Sequence, residues 1–481
     1  MDRKTNIHFG TDGWRAVIAD EFTFKNVRVC AQAVANYLKS ARLSDKGIVI
    51  GYDTRFASAD FARASAEVLA GNGIKVYLSD GIVPTPVVSY AVANLKAGGG
   101  IVITASHNPA QWNGFKYKSP DGASAPDDVV AAIEKHIAAV DPDTIKTVTL
   151  EKAIVSTIVV LTDFRPAYQQ QINRLLDLSN IRKAGFNVAI DSMHGAGGGY
   201  FKILLGEGPT RITEIKAEPN PAFPGMKQPE PIGVNLSELA QTIRREKADI
   251  GLALDGDADR LGVMDESGNF LTQLQVFALL VLYFFEVRGE SGAIVKTITT
   301  TGMLNRLGEI FSVPVFEVPV GFKYVAPVML RQNALIGGDE SGGYGFRGHV
   351  PERDGLLAGL YFLDFMAQTG KTPSQLLEYL YQKVGPHYYD RRDIVFNEAE
   401  RSTIIGRMAE SAPASIDGVK VLRKETADGF RFLLADGSWL LVRFSGTEPL
   451  LRLYAESKSP QNVQHLLDIG LNMAGVKDAA S

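Results

Sequence analysis

The chain is poor in cysteine, in long hydrophobic runs and in net charge, and each shortage excludes a class of protein. Its 481 residues include a single cysteine, Cys30, which excludes an intramolecular disulfide and any metal site built from several cysteines. The longest apolar run, residues 276–285, is well short of the ~20 residues that span a bilayer, so it predicts a buried helix and no membrane anchor. A net charge of only −4 gives no sign of nucleic-acid binding or of attraction to an anionic membrane.

The N-terminal residues and the histidines narrow the class further. Residues 1–10 lack the apolar segment of a secretory signal, so we expect a cytoplasmic protein. The 7 histidines show no spacing typical of metal ligands, and nothing in the sequence indicates an oligomeric state. Cys30 lies on an apolar stripe of helical period, which predicts a core position rather than a reactive thiol. The stripe consists of Val27, Cys30, Ala31, Val34 and Leu38.

What the chain does have is an alternation of helix and strand patterns that restarts twice. We predict an α/β protein in which residues 1–150, 151–262 and 263–384 form three similar α/β domains with parallel or mixed sheets. Residues 385–481 read as a smaller α+β domain, because strand patterns there are separated by Asp-Gly turn signals. Each of the first three domains contains a buried strand that is followed by a polar loop: TASHNP, DGDADR and GDESGG. Equivalent loops of this kind would face one central cleft.

The first of these loops carries a serine where a ligand would bind. An apolar run at residues 101–103 ends in a polar turn that contains Ser106, His107 and Asn108. Loops at the carboxyl ends of strands hold ligands in doubly wound folds, so Ser106 is placed as a nucleophile or phosphate carrier. The same residues also suit a turn in which Ser106 and Asn108 only hydrogen-bond the backbone.

The second loop, DGDADR, predicts a metal site. Asp255, Asp257 and Asp259 alternate along the chain, so in an extended segment their carboxylates share one side. Three such carboxylates repel one another unless a proton or cation intervenes, and Mg²⁺ completed by a phosphate oxygen suits three protein ligands. A calcium-binding EF-hand fits poorly, because Arg260 replaces the required glycine and the flanking segments read as strands. A solvated acidic turn is the other alternative.

A third polar segment lies near the C-terminus. RFSGTEP places Arg443, Ser445, Gly446 and Thr447 at the end of a predicted strand. Arginine offers a planar fork for phosphate, the hydroxyls add donors, and glycine allows close approach to the backbone. The segment therefore indicates a phosphate-binding site, although an ordinary Ser-Gly-Thr turn has the same residues.

Five motifs together resemble a known family. FGTDGWRA (residues 9–16), TASHNP (104–109), DGDADR (255–260), GDESGG (338–343) and RFSGTEP (443–449) occur in the order and approximate spacing of the α-D-phosphohexomutases. The chain resembles this phosphoglucomutase/phosphomannomutase superfamily from end to end, and most resembles its bacterial phosphoglucomutases. The resemblance implies four domains around a central cleft, the first three alike, in agreement with the repeated pattern.

The resemblance also implies roles for individual residues. Ser106 would be the phosphoserine, and one of its phosphate oxygens would join Asp255, Asp257 and Asp259 as a ligand of Mg²⁺. Arg15 and Arg260 would neutralise the phosphoryl group during transfer, and Lys116 would be the candidate general base. The remaining implied residues would bind the sugar phosphate: Gly321, Lys323, Asp339 and Ser341 at the sugar, and Arg443, Ser445, Gly446 and Thr447 at the unreactive phosphate.

The implied activity is the interconversion of hexose 1-phosphate and hexose 6-phosphate. Phospho-Ser106 would give its phosphoryl group to O6 of a sugar 1-phosphate, and the bisphosphate would turn over before returning its other phosphate. Mg²⁺ is the implied cofactor, and glucose 1,6-bisphosphate is the implied intermediate and activator. A small-molecule sugar phosphate, rather than nucleic acid or a membrane, is the expected partner.

The sugar is predicted from one short loop. Gly321 to Lys323 read GFK, which resembles the Gly–aromatic–Lys loop of glucose-preferring members and favours glucose. Two positions depart from the family: Asp339 replaces the more usual Glu, and Gly343 stands where some bacterial relatives have a His. A mannose-specific or dual-specificity mutase is therefore the alternative. From another class, a metal-dependent sugar phosphatase would release the same phosphoryl group to water.

Overall fold

The computed structural model of the chain describes residues 7–10, 12–445 and 450–476. Over these residues the strands form four sheets, which follow one another along the chain. In the part of the chain that is described, no helix is long and apolar enough to cross a membrane.

The first sheet mixes parallel and antiparallel strands. Its strands are β1 (Trp14–Val17), β2 (Ile48–Tyr52), β3 (Val76–Ser79), β4 (Gly100–Ile103), β5 (Trp112–Lys118) and β6 (Val159–Thr162). Their order is β1-β5-β4-β2-β3-β6, in which β4, β2, β3 and β6 are parallel. The accompanying helices are α1 (Phe24–Ser40), α2 (Ser58–Gly71), α3 (Thr85–Asn94), α4 (Asp127–Ala139) and α5 (Leu150–Val155).

The second sheet repeats this arrangement with fewer strands. It contains β7 (Asn187–Asp191), β8 (Arg211–Ile215), β9 (Ile250–Leu254), β10 (Leu261–Met264) and β11 (Phe270–Leu271), in the order β11-β10-β9-β7-β8. Helices α6 (Arg165–Leu175) and α7 (Ser179–Lys183) lead into it. Helices α8 (Tyr200–Leu205) and α9 (Ser237–Glu246) connect its parallel strands.

The third sheet is the smallest of the mixed sheets. It contains β12 (Ile294–Thr297), β13 (Val315–Val318), β14 (Ile336–Gly338) and β15 (Tyr344–Phe346), in the order β13-β12-β14-β15. Its helices are α10 (Gln273–Leu282), continued by a π-helical turn over Tyr283–Val287, α11 (Met303–Ile310) and α12 (Phe322–Gln332). Helices α13 (Gly355–Thr369) and α14 (Pro373–Val384) follow it.

The fourth sheet is antiparallel. Its strands are β16 (Tyr388–Val395), β17 (Ser415–Ile416), β18 (Val419–Glu425), β19 (Phe430–Leu434), β20 (Trp439–Phe444) and β21 (Leu450–Ser457). Their order is β16-β21-β20-β19-β18-β17, accompanied by helices α15 (Arg401–Glu410) and α16 (Pro460–Ala474). The edge strand β16 was not predicted, since four consecutive charged residues, 390–393, interrupt the alternation of apolar and polar residues that is typical of a strand.

One four-strand arrangement recurs in the first three sheets. Two parallel strands are followed by a third strand beside the first, and a fourth then pairs antiparallel with the third: β2-β3-β4-β5, β7-β8-β9-β10 and β12-β13-β14-β15. The loop between the third and fourth strands is TASHNP, DGDADR or GDESGG in turn. The predicted fold class, three similar α/β units and a smaller α+β domain, is confirmed.

Burial follows the predicted apolar patterns. Every residue of the Cys30 stripe on α1 has an exposure of 0%. The apolar run at 276–285 forms the buried helix α10 and the π-helical turn after it. One core cluster extends from α3 through the second sheet to α13, so the first three units share buried surface.

Two sheets extend past the predicted domain boundaries. Strand β6 pairs with β3, so the first sheet continues beyond residue 150. Strands β10 and β11 complete the second sheet beyond residue 262. In both cases an added edge strand pairs with the preceding sheet, a choice that local sequence patterns do not determine. The three predicted boundaries between the four domains remain predictions.

The third and fourth sheets are joined by ion pairs around Glu317 on β13. Its carboxylate lies 3.0 Å from Lys296 Nζ and also accepts a hydrogen bond from Arg431 on β19. Burial by itself raises the pKa of Glu317, but Lys296 and Arg431 outweigh it and lower this pKa to about 2. Glu317 therefore stabilises the joint in its ionised form.

The Glu317→Gln substitution should lower the free energy of unfolding by about 2 kcal/mol at pH 7. Because the folded pKa lies below the usual value near 4.5, this stabilisation is present above pH 4.5 and is lost as the pH falls towards 2. Urea unfolding midpoints at pH 7, 4 and 3 should show the gap between wild type and variant shrinking. Glu378→Gln, at an exposed residue on α14, is the matched control. A gap that is independent of pH would contradict the assignment.

Candidate active site

Ser106 lies in the loop after β4 in an unusual backbone conformation. Its φ of +51° is in the left-handed region, which residues other than glycine rarely adopt. Thr104 Oγ1 accepts a hydrogen bond from Ser106 N at 2.9 Å, which helps to hold this turn. Backbone strain of this kind is concentrated at functional sites. The side chain is buried, and Ser106 Oγ donates to Asp255 Oδ2 at 2.8 Å.

A buried arginine holds the serine loop in place. Arg55 donates to four backbone carbonyls: Nη2 to Ser106 and Asn108 at 2.6 Å each, and Nη1 to Pro109 and Trp112 at 2.9 Å each. Asp53 Oδ2 lies 3.3 Å from Arg55 Nε and balances its charge. The sequence analysis did not identify Arg55. Its only local signal is a pair of charged residues directly after a buried strand.

The serine loop and the DGDADR loop approach each other closely because of one glycine. A Cβ built on Gly256 would lie 2.5 Å from the carbonyl oxygen of Ser106, which is far inside normal contact. Glycine between Asp255 and Asp257 therefore allows the two loops to meet. Two further hydrogen bonds connect this loop to helix α3, from Thr85 N to Asp257 O at 3.0 Å and from Thr85 Oγ1 to Asp257 Oδ2 at 2.6 Å.

The three aspartates of this loop form a buried cluster that suits a metal ion. One carboxylate oxygen from each of Asp255, Asp257 and Asp259 lies within 4.8 Å of the others. Asp257 Oδ1 and Asp259 Oδ1 are buried and have no hydrogen-bond partner among the described residues. Burial, together with the charges of Asp259 and Asp257, raises the pKa of Asp255 well above its ordinary value. The three aspartates thus offer carboxylate oxygens, two of which meet no hydrogen-bond donor among the described residues. Oxygen ligands of this kind suit a hard divalent cation.

Lys116 on β5 supplies positive charge beside this cluster. Its Nζ lies 2.8 Å from Asp257 Oδ2, 2.7 Å from Asp12 Oδ2 and 3.7 Å from Asp259 Oδ2. Burial alone would lower the pKa of Lys116, but these three carboxylates hold it above its ordinary value. Lys116 is therefore an ammonium ion in this arrangement, and it must lose a proton before it can serve as the predicted general base.

Two predicted arginines lie at the edge of the same cluster. Arg15 Nη1 donates to Asn108 Oδ1 at 2.8 Å in the serine loop. Arg260 Nε lies 3.8 Å from both Asp255 Oδ2 and Asp259 Oδ1. The ring of His107 lies beside Ser106 Oγ at 3.4 Å, and burial, with Arg260 and Arg15 nearby, lowers its pKa well below the ordinary value. That ring is therefore neutral.

The third loop, GDESGG, joins the cluster through an arginine that the sequence analysis did not select. Ser341 N and Oγ donate to Asp339 Oδ1, at 2.9 and 2.6 Å. Asp339 Oδ2 lies 3.6 Å from Nη1 of Arg353, whose Nη2 donates to Asp259 Oδ2 at 2.7 Å. Asp339 and Ser341 are thus linked to the aspartate cluster through Arg353.

Three of the other predicted residues, Gly321, Lys323 and Arg443, lie in or beside other contacts of the described chain. Lys323 Nζ donates to Asp127 Oδ1 on α4 at 2.6 Å, and Gly321 begins helix α12 with a φ of +129°. Arg443 Nε donates to Asp428 Oδ1 at 2.8 Å. Ser445 is buried, with its N–H donating to Leu450 O at 2.8 Å. Gly446 and Thr447 lie outside the described residues.

Charged residues from the first and third units complete the cluster, and the local sequence contained little sign of them. Asp12 lies between Lys116 and Arg353. It belongs to the motif FGTDGWRA, in which only Arg15 was predicted to have a role. Lys118 and Glu352 form a buried pair at 2.5 Å. The segment ERDG, residues 352–355, is a dense group of charges between apolar segments. This density of charge was the one feature of the sequence that could have pointed to Glu352 and Arg353.

Models of one family match most of the chain. They are described as the phosphoglucomutase/phosphomannomutase alpha/beta/alpha domains I, II and III and the C-terminal domain. They match residues 6–144, 166–268, 273–384 and 405–469, respectively.

Individual relatives are similar over nearly their full length. A phosphoglucomutase/phosphomannomutase of Thermococcus kodakarensis is 32% identical, covering 97% of this chain and 98% of that protein. A protein of Methanothermobacter thermautotrophicus named "Probable phosphoglucosamine mutase" is 32% identical, covering 97% of both chains. A crystal structure of a "putative phosphomannomutase" from Thermus thermophilus is 36% identical, with a TM-score of 0.84 over 99% of this chain and 100% of the other.

The Asp257→Asn substitution should weaken the binding of a divalent cation on the order of 100-fold. It removes the negative charge of one candidate ligand, which is also one of the carboxylates beside Lys116. Titration with Mn²⁺ alone, followed by electron paramagnetic resonance of the free ion, measures the affinity. Asp60→Asn, at an exposed aspartate on α2, should bind like wild type. Equal Mn²⁺ affinity in Asp257→Asn would rule out this cluster as the metal site.

Proposed function

The chain belongs to the phosphoglucomutase/phosphomannomutase family, and on that premise we propose that Ser106 carries the phosphoryl group that interconverts hexose 1-phosphate and hexose 6-phosphate. The observation that carries this proposal is the contact of Ser106 Oγ with Asp255 Oδ2 at 2.8 Å, beside two buried carboxylate oxygens that have no hydrogen-bond partner in the described part of the chain. A phosphorylated Ser106 would have its charge compensated only if a cation were held at those oxygens. The family match makes the reaction an isomerisation.

The proposed metal site uses this chain's own oxygens. Asp255, Asp257 and Asp259, with an oxygen of phosphorylated Ser106, would hold Mg²⁺, which supplies positive charge to the phosphoryl oxygens in transfer. Arg15 contacts Asn108 in the serine loop, and Arg260 lies beside the aspartates. Both arginines would therefore add positive charge near the phosphoryl group on Ser106. Positioning and charge compensation are the main sources of catalysis in phosphoryl transfer.

Each half of the proposed reaction exchanges one phosphorus–oxygen bond for another. The bond from phosphorus to Ser106 Oγ breaks as a bond to the sugar O6 forms, and the O6 proton passes to a base. Lys116 is our candidate for that base, and it would lose its own proton more readily once Asp257 is shared with a divalent cation. The bisphosphate then turns over, and its other phosphoryl group returns to Ser106 Oγ, which leaves the isomeric monophosphate.

The residues farther from Ser106 are proposed to hold the sugar phosphate. Asp339 would accept hydrogen bonds from sugar hydroxyls through Oδ2, because Ser341 occupies Oδ1. Arg443, with Ser445, Gly446 and Thr447, would bind the phosphate that is not reacting. Gly321 and Lys323 begin helix α12, and their GFK sequence supports glucose as the sugar. A bisphosphate has a phosphate at each end, so one such site serves both orientations.

The Ser106→Ala substitution should lower mutase activity at least about 1,000-fold, because the phosphoryl carrier is lost. A coupled assay of glucose 6-phosphate formed from glucose 1-phosphate, with Mg²⁺ and catalytic glucose 1,6-bisphosphate, measures the activity. Ser156→Ala, at a serine that caps the distant helix α5, should match wild type. Full turnover in Ser106→Ala would refute the carrier role. Release of free phosphate without glucose 6-phosphate would instead identify a sugar phosphatase.

Wild-type protein should have its highest kcat/KM with glucose 1-phosphate in a panel that includes mannose and glucosamine 1-phosphates. The expectation rests on the GFK loop, Gly321 to Lys323. All three substrates are compared at equal Mg²⁺ and with the matching bisphosphate. A tenfold or greater preference for mannose or glucosamine would overturn the glucose prediction and leave the phosphoryl chemistry intact.

A further inference from the structure

Gly343 and Arg353 compete for the same space. A Cβ built on Gly343 would lie 2.1 Å from Arg353 Cδ and 2.7 Å from its Cγ, so no larger residue fits while Arg353 keeps this position. The φ of Gly343 is not in the left-handed region, so backbone conformation does not demand glycine there. The position of the Arg353 side chain is what requires glycine at residue 343.

Arg353 contacts one carboxylate from each of the first three units. Its Nη2 donates to Asp259 Oδ2 at 2.7 Å and to Asp12 Oδ2 at 3.0 Å, and Nη1 lies 3.6 Å from Asp339 Oδ2. The guanidinium also lies over the ring of Phe322, 5.8 Å from its centre, in the GFK segment. One planar group therefore lies between the aspartate cluster and the loop proposed to bind the sugar.

The residue before Arg353 is held by the first sheet. Glu352 is fully buried, and its Oε2 accepts hydrogen bonds from Lys118 Nζ at 2.5 Å and from Ser124 Oγ at 2.6 Å. Its Oε1 accepts from Arg353 N at 3.0 Å. The Arg353 backbone is thus fixed from its N-terminal side.

The residue after Arg353 is held by the helices around it. Asp354 caps helix α13 by accepting from Leu357 N at 2.9 Å. It also accepts from Tyr168 Oη at 2.8 Å and lies 3.0 Å from His349 Nε2. Since both neighbours are anchored, Arg353 is presented from a rigid segment rather than from a free loop end.

We propose that Arg353 is a positioning residue that sets Asp339 relative to the phosphoryl-transfer centre, and that Gly343 is required to admit it. The inference rests on the proposed function, in which Asp339 binds the sugar and Asp259 a metal ion. The fixed fork of a guanidinium can orient carboxylates on two loops at once, whereas an ammonium group acts as a single point charge. Displacement of the sugar by about 1 Å relative to the reacting serine costs on the order of 100-fold in rate.

Three variants test the proposal. Gly343→Ala should displace the Arg353 side chain and lower kcat/KM about 100-fold. The displaced guanidinium should stay near the buried carboxylates, so the charge of the cluster is kept while its geometry is lost. Arg353→Lys should retain about a tenth of wild-type kcat/KM, because it keeps the charge without the fork. Arg353→Met should lose more than either. Gly406→Ala, with open space around its Cβ, and Arg347→Lys, in an ion pair outside the cluster, are the matched controls.

Two further measurements separate positioning from a structural role. Thermal melting reports whether each variant is folded, and Mn²⁺ titration of the protein alone reports the metal site. In Gly343→Ala we expect a nearly unchanged melting temperature and an Mn²⁺ affinity within about threefold of wild type, because Arg353 does not use Asp257 Oδ1 or Asp259 Oδ1. KM for the sugar phosphate should rise and kcat should fall. If Arg353→Met fails to fold, Gly343→Ala decides the question.

The outcomes that would overturn the proposal are distinct from failure of the proposed function. Wild-type kinetics in both Gly343→Ala and Arg353→Lys would refute it while the mutase activity stands. Parallel losses of melting temperature, Mn²⁺ binding and activity in Gly343→Ala would assign Arg353 a structural role only, which also refutes it. If wild-type protein shows no mutase activity with any sugar of the panel, the proposed function fails and the inference falls with it.

Discussion

The buried contact of Lys116 with Asp257 and Asp12 is the interaction on which the rest of the site depends. A charge moved from water into a protein interior is strongly destabilised unless an opposite charge meets it there. Lys116 lies on the first sheet and Asp257 on the second, and both are almost completely buried. Neither side chain would be tolerated in that position without the other. The contact between the first two units and the charge balance of the aspartate cluster therefore depend on the same ion pair.

Two close approaches give this electrostatic cluster its geometry. The missing side chain of Gly256 lets the Ser106 loop meet the aspartate loop, and that of Gly343 lets Arg353 pass beneath the third loop. In both places a methyl group would collide with atoms that are already held by other contacts. Charge attraction brings the loops together, but the absence of a Cβ determines how near they come. Distances such as the 2.8 Å between Ser106 Oγ and Asp255 Oδ2 depend on both.

The sequence predicted the parts of the site that are local and missed those that are formed between units. Ser106 and the three aspartates each follow a buried strand within one motif, so strand pattern and residue type sufficed. Arg55, Glu352 and Arg353 look like solvated charges in the sequence, because their partners lie in other units or on a distant loop. The place of strand β6 in the first sheet was missed for a similar reason, since its pairing with β3 is a tertiary contact.

The charges of the cluster would also explain why the proposed carrier serine and the proposed cation site lie together. Among the described residues, the cations Lys116, Arg15, Arg260 and Arg353 lie against at least as many carboxylates, which include Asp12, Asp255, Asp257, Asp259, Asp339 and Glu230. A phosphoryl group on Ser106 would add nearly two negative charges to this buried balance. Burial and neighbouring carboxylates already raise the pKa of Asp255 well above its ordinary value, so the cluster has no positive charge to spare. A divalent cation at the aspartates restores the balance that phosphorylation removes, and each of the two therefore favours the binding of the other.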